Sequence, residues 1–159
     1  MVPGIRCCDA GLADMTETSG RSDGDATATV EGYFRALAAN DLRTAGALLD
    51  DNVTYQNVGY PTLRGSKRVM RLFAAVQRTR MRFDVTIHRT AADGPSVLHE
   101  RTDVMIFGPL RVSIWVWGVF EVHDGRITLW RDYFDAFDIA KAIFRAVADV
   151  AASALRPAR

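Results

Sequence analysis

Between residues 25 and 40 the apolar residues Val30, Tyr33, Phe34, Leu37 and Ala38 return every third or fourth position. That spacing is one face of a helix, and Asn40 tolerates the left-handed stop that ends it. Asp41 then caps a second, short helix whose Leu42, Ala45, Leu48 and Leu49 share a face until Asp50-Asp51-Asn52 breaks the pattern. The two make a helical hairpin. Residues 53–57 switch to a period of two, a strand with Val53, Tyr55 and Asn57 on one side and Thr54 and Gln56 on the other. Gly59, Pro61 and Gly65 mark a loop. Ser66 caps a third helix with Val69, Leu72, Phe73 and Val76 inward and Lys67, Arg68, Arg71 and Arg78 toward water.

The second half reads as an antiparallel meander. Strand-like runs at about 82–90, 96–107, 110–123 and 126–135 are separated by Ala91-Ala92-Asp93-Gly94, Gly108-Pro109 and Asp124-Gly125. The last pair is the strongest short-range signal for a two-residue hairpin. A closing helix from Ala136 is expected to bury Phe137, Ala140, Ile143, Phe144 and Val147. Helices first, then strands, then one helix is an α+β order. Residues 1–25 are rich in Gly, Ser, Thr and Asp without an apolar period, so they read as a flexible leader. Residues 26–152 form a single domain and residues 153–159 a tail.

Composition narrows the function. A chain of 159 residues, 48% hydrophobic and 25% charged, holds one domain with a core and room for an enclosed pocket. Twenty Lys+Arg against 19 Asp+Glu leaves a net charge of +1, without the basic excess of a nucleic-acid binder. The longest apolar run, residues 114–120, is far short of the roughly 20 residues of a membrane helix. No basic-then-apolar secretory pattern opens the chain, so a cytoplasmic protein is expected. The adjacent Cys7 and Cys8 give neither a disulfide framework nor zinc spacing, and His88, His99 and His123 have no metal-ligand pairing. Without a glycine-rich phosphate loop or a serine elbow, the chemistry should need no cofactor and no metal.

The charged strand residues are the candidates for that chemistry. In 96–107, alternation puts Val97, His99, Arg101, Asp103 and Met105 on one face and Leu98, Glu100, Thr102, Val104 and Ile106 on the other, the second being the cleaner core face. In the last strand Asp132 shares a face with Thr128, Trp130 and Phe134, a carboxylate between aromatics. A buried unpaired carboxylate is costly and is kept when paired or used. The plain alternative makes Arg101 and Asp103 a solvated ion pair and Asp132 a partner of Arg131. His99 could lie beside these residues, but a surface or satisfied histidine is the plainer reading.

Tyr55-Gln56-Asn57, then Glu100-Arg101-Thr102-Asp103-Val104, then Trp130-Arg131-Asp132-Tyr133-Phe134-Asp135 resemble, in order, three signature segments of the limonene-1,2-epoxide hydrolase family. The similarity runs from about residue 28 to 145 and extends to the wider cone-shaped superfamily of nuclear transport factor 2, ketosteroid isomerase and small polyketide cyclases. It implies a strongly curved mixed sheet around a deep pocket closed by helices, and a homodimer. Carried over residue by residue, it implies Asp132 as general base, Asp103 as general acid, Arg101 orienting and coupling both carboxylates, and Tyr55 and Asn57 holding water. The implied reaction is one-step attack of water on an apolar epoxide (terpenoid, sterol or fatty-acid) to give a vicinal diol, without a covalent enzyme intermediate.

Trp130, Phe134, Leu72 and Phe73 are expected to line the substrate cavity, with Trp115 or Trp117 as a further wall. Arg101 favours the charged forms of its neighbours while burial opposes them, so the carboxylates should titrate as a coupled set. The competing readings are a polyketide cyclase or ketosteroid-isomerase-like acid/base enzyme, and a non-catalytic lipid-binding or interaction domain of the same fold. The loop at residues 58–62 departs from the family pattern and leaves specificity open.

Overall fold

A computed structural model describes residues 12–154 of the chain, and side chains over 25–152. The order is α1 (Leu12–Ala38), α2 (Leu42–Ala47), β1 (Leu49–Asn57), β2 (Leu63–Arg64), α3 (Ser66–Arg78), β3 (Arg82–Asp93), β4 (Ser96–Phe107), β5 (Leu110–His123), β6 (Arg126–Tyr133) and α4 (Ala136–Ala154). One curved, unclosed six-stranded sheet runs β2-β1-β6-β5-β4-β3. All its neighbours are antiparallel except β1 and β6, which pair parallel. The α+β order and the meander are as the sequence predicts. Asp124 and Gly125 take φ of 51° and 71°, the left-handed pair that a tight primed hairpin requires. No helix of the described residues is long and apolar enough to cross a membrane.

Several expectations need correction. The first helix is longer than the run from residue 25 to 40 that the apolar spacing predicts, with bounds Leu12–Ala38. Residues 1–11 and 155–159 lie outside the described residues. Leu49 opens β1 rather than extending α2, and Gly65, at φ 91°, takes the cap position given to Ser66. Ser66 is the first helical residue, and its Oγ reaches Asp51.

The inward face of β4 is the opposite one from that expected. Val97, His99 and Arg101 are buried, whereas Leu98 is half exposed on the outer side, although Glu100 and Ile106 of that outer row are also buried. Helix α4 is likewise turned. It lays Ile139, Ala142 and Ala146 on β5, and leaves Phe137, Ala140, Ile143, Phe144 and Val147 exposed, Phe144 at 76%. The helix is apolar on both sides, so its pattern could not say which one meets the sheet.

The concave side carries two apolar clusters. In the larger, α1 presses Val30, Tyr33, Phe34 and Leu37 onto Val97, Phe120, Ile127 and Trp130. In the smaller, α4 covers Val112, Ile114 and Val116. A polar cluster lies on the same face of the sheet, and its cavity is walled by members of both.

Candidate active site

Strand register assembles the polar cluster. The parallel pairing of β1 with β6 sets Tyr55 beside Trp130 and Asn57 beside Asp132. Val58 N–H donates to Asp132 O at 2.9 Å, carrying that ladder past the carboxylate. On the other side, Asp132 pairs with Gly118 of β5, and Gly118 with His99 of β4. Arg101 and Asp103 follow two and four residues along β4, on the same face as His99.

Arg101 is 1% exposed and is the largest fully buried side chain among the described residues. Its guanidinium donates from Nε to Asp103 Oδ1 at 2.7 Å and from Nη2 to Asp103 Oδ2 at 3.0 Å. Toward Asp132 it donates from Nη1 to Oδ1 at 2.9 Å and from Nη2 to Oδ2 at 2.7 Å. Both contacts are two-pronged, the geometry only a guanidinium supplies. The ring of Phe34 covers the cation, its centroid 4.6 Å from Cζ. Asp132 is therefore paired on the inside of the fold, and the solvated-charge alternative fails on geometry. Arg131, its other suggested partner, instead donates from Nε to Gln56 Oε1 at 3.0 Å.

Burial pushes the Asp103 carboxyl up from its ordinary value and outweighs the pull of Arg101, with the negative charge of Asp132 adding to the rise. Two carboxylates around one guanidinium in a dry site carry a surplus negative charge, which one proton removes. The Tyr55 hydroxyl is also raised, chiefly by burial and then by Asp132, so it stays protonated and able to donate. Tyr55 Oη accepts from Asn57 Nδ2 at 2.9 Å, while Asn57 Oδ1 is buried without a partner among the described residues. A hydroxyl donor, an amide acceptor and a carboxylate thus neighbour one another where β1 meets β6.

A cavity of about 120 Å³ opens onto these groups, lined by Tyr55, Asn57, Arg101, Asp103 and Asp132 together with apolar side chains of β3 to β6, α3 and α4. Of the expected lining residues, Trp130, Phe134 and Phe73 are there, with Phe73 stacked on Trp130 at 5.7 Å. Leu72 is not: it sits one position round α3 and is 42% exposed. Trp115 and Trp117 are not either. They point out of the far side of the sheet, Trp117 at 55% exposure, and border an open hollow of about 520 Å³. That hollow is larger but contains no buried ion-pair cluster. Sequence reasoning missed Phe83, Met105, Ile114, Val116 and Ile139 as walls. The register Arg101↔Val116 and Asp103↔Ile114 was the missing information. Of the two readings open for His99, a place beside the cluster is the one observed: it is 3% exposed and touches Arg101. Among the described residues, no group of three or more His, Cys, Asp or Glu could hold a metal ion.

The family described as limonene-1,2-epoxide hydrolase catalytic domain matches residues 24–145. The epoxide hydrolase EphG of Mycobacterium tuberculosis is 46% identical over 147 residues, which cover 91% of this chain and 98% of the relative. A solved structure of a limonene-epoxide-hydrolase-like epoxide hydrolase of M. tuberculosis superposes with a TM-score of 0.79 at 46% identity, covering 82% of this chain and 98% of that one. A nuclear-transport-factor-2-like protein of unknown function from Cytophaga hutchinsonii, at 23% identity and a TM-score of 0.59 over 69% of this chain and 89% of its own, shares the fold alone.

Proposed function

As the chain belongs to the limonene-1,2-epoxide hydrolase family and is an epoxide hydrolase of that type, we propose that it converts an apolar epoxide to a vicinal diol in one step. Water attacks one ring carbon from behind while that carbon's own bond to the ring oxygen breaks. Asp132 takes a proton from the attacking water, and Asp103 gives its proton to the leaving oxygen. The cycle moves one proton from Asp103 to Asp132, with no covalent bond to the enzyme, and the cluster regains its starting form by proton exchange. Tyr55 donates a hydrogen bond to the water oxygen, and Asn57 Oδ1 accepts a hydrogen bond from the O–H that the water keeps and that becomes the diol hydroxyl.

The observation that carries this reading is the buried bridge of Asp103, Arg101 and Asp132, with Asp103 held toward its protonated form. A concerted opening needs one acid and one base in fixed relation, and two bidentate contacts to a single guanidinium supply that relation. Each proton-transfer partner typically contributes about 10²- to 10⁴-fold, and a held water adds the advantage of proximity. The aromatic and aliphatic walls favour an apolar substrate. A cavity of about 120 Å³ favours a compact epoxide such as a terpenoid over a fatty-acid or sterol epoxide. A homodimer is part of this reading, supported by the apolar rows of β5 and α4 that the single chain leaves exposed.

The test is single-turnover reaction of terpene, fatty-acid and sterol epoxides in ¹⁸O-labelled water, with Asp132→Asn as control. Labelled diol in the first turnover, absent from the variant, is expected. Unlabelled diol in that turnover would require an enzyme-derived oxygen and overturn the water-attack step. No diol from any epoxide would favour the cyclase, isomerase or binding-domain readings.

A further inference from the structure

Arg101 has five N–H groups, and the two carboxylates take four of them. The fifth, on Nη1, faces Nε2 of His99 at 2.9 Å. The imidazole lies across Gly118, where a Cβ would fall 2.5 Å from His99 Nε2. Its ring is gripped by Phe34 and Phe120, with centroids 5.0 and 4.6 Å away. A side chain at position 118 would evict it. We infer that His99 is a positioning residue of this site, whose Nε2 accepts the last guanidinium N–H and fixes the roll of Arg101, and through it both carboxylates.

The inference rests on the proposed reaction, and the chemistry of the ring supports it. Only a neutral imidazole protonated on Nδ1 can accept at Nε2. Burial, and then the adjacent Arg101, pull the His99 pKa down to about 3, so the acceptor form persists across the working range. Arg101 is the charged group in contact with the ring. Without this acceptor a buried N–H of a cation is left unpaired, and the guanidinium can rotate toward another partner. Misplacement on the scale of an ångström in a site of this kind can cost about 10²-fold.

Three substitutions separate positioning from packing. Glutamine places an oxygen near the site of Nε2, asparagine places one near Nδ1, and leucine fills volume without an acceptor. His99→Gln should keep kcat within about threefold, whereas His99→Asn and His99→Leu should lose about 10- to 100-fold in kcat with KM little changed. A His99→Leu variant that folds with wild-type kcat overturns the inference. So does His99→Asn as active as His99→Gln, a comparison that still decides if the leucine variant fails to fold. ¹⁵N spectra of wild-type protein give a readout independent of substrate. Nε2 should be unprotonated and the ring neutral down to pH 5, and a ring titrating near the ordinary histidine value would sink the inference even if turnover is high. If wild type opens no epoxide, the proposed reaction fails while this spectrum still decides the role of His99.

Discussion

The middle of β4 inverts the usual arrangement of a half-buried sheet, while the neighbouring β5 keeps its apolar row of Val112, Ile114, Val116 and Phe120 inside. The concave side holds His99, Arg101 and Asp103, while the convex side shows Leu98, Trp115 and Trp117 to solvent. Alternation of apolar and polar residues normally marks the apolar row as core. Here the polar row is inside because the five N–H donors of Arg101 meet three acceptor side chains and an aromatic ring covers the cation, although His99 Nδ1 is buried without a partner among the described residues. A charge set that closes on itself can take the inner face, and the apolar row opposite then needs another reason to exist. On the proposed reading the inner face carries the chemistry, and the exposed apolar residues of the outer face are the candidates for association.

The largest separation between the faces should appear on removing a carboxylate. Asp132→Asn and Asp103→Asn are each expected to lower kcat by about 10²- to 10⁴-fold in a protein that still folds. Retention of most activity by either folded variant would reduce the concave cluster to a structural ion pair. Arg101→Ala should be as inactive and less stable as well. It leaves two buried carboxylates without their counter-charge, a loss of about 3–5 kcal/mol by the usual cost of breaking a buried pair, read from denaturant midpoints.

The pH dependence sharpens the same contrast. In the proposed reaction Asp103 is the acid, and its carboxyl is raised by burial, so turnover should fall with increasing pH through a midpoint above the ordinary aspartate value. Its linkage runs the same way. A folded pKa above the unfolded one contributes stability that is present below the unfolded pKa and fades as pH rises through the folded value. Asp103→Asn, a permanent mimic of the neutral acid, is therefore expected to be inactive yet more stable than wild type above that midpoint. For His99 the sign is reversed. With the folded value near 3, the unfolded chain binds the proton first, and stability drops as pH falls below the ordinary histidine value. The slope is at most about 1.4 kcal/mol per pH unit and should vanish in His99→Gln. Equal acid slopes in the two proteins would place His99 in water.

The fold was largely written in the apolar periods, and the five polar site residues in the three signature segments. What could not be read was direction. A period of two divides a strand into rows without saying which row faces in, and that answer depends on Gly118, Val116 and Asp132 on other strands. Helix α4 has apolar residues around most of its circumference, so choosing Phe137 over Ile139 as the packed side was beyond its own pattern. His99 went unassigned for a related reason. Its partner lies two residues away on the same strand, but the space that lets the ring reach it belongs to a glycine on the next.

The smallest effect is expected on the outer row, and it tests whether that face is separable from the chemistry. Trp115 pairs with Thr102 across the strands and stacks on the exposed His88 at 5.3 Å, with half of its surface in water. Replacing it by serine removes that stack and little buried area, a change worth about 0.5–1.5 kcal/mol. Trp115→Ser should therefore keep kcat within about twofold, since no atom of the tryptophan lines the Arg101 cavity. Its effect should appear in assembly. If the proposed homodimer seats this row, sedimentation at micromolar concentration will show the variant dissociating where wild type does not. An unchanged dimer moves the interface to the Phe137–Phe144 side of α4. A large fall in kcat with the fold intact would mean that the two faces are coupled through β5, and that the separation of chemistry from association is wrong.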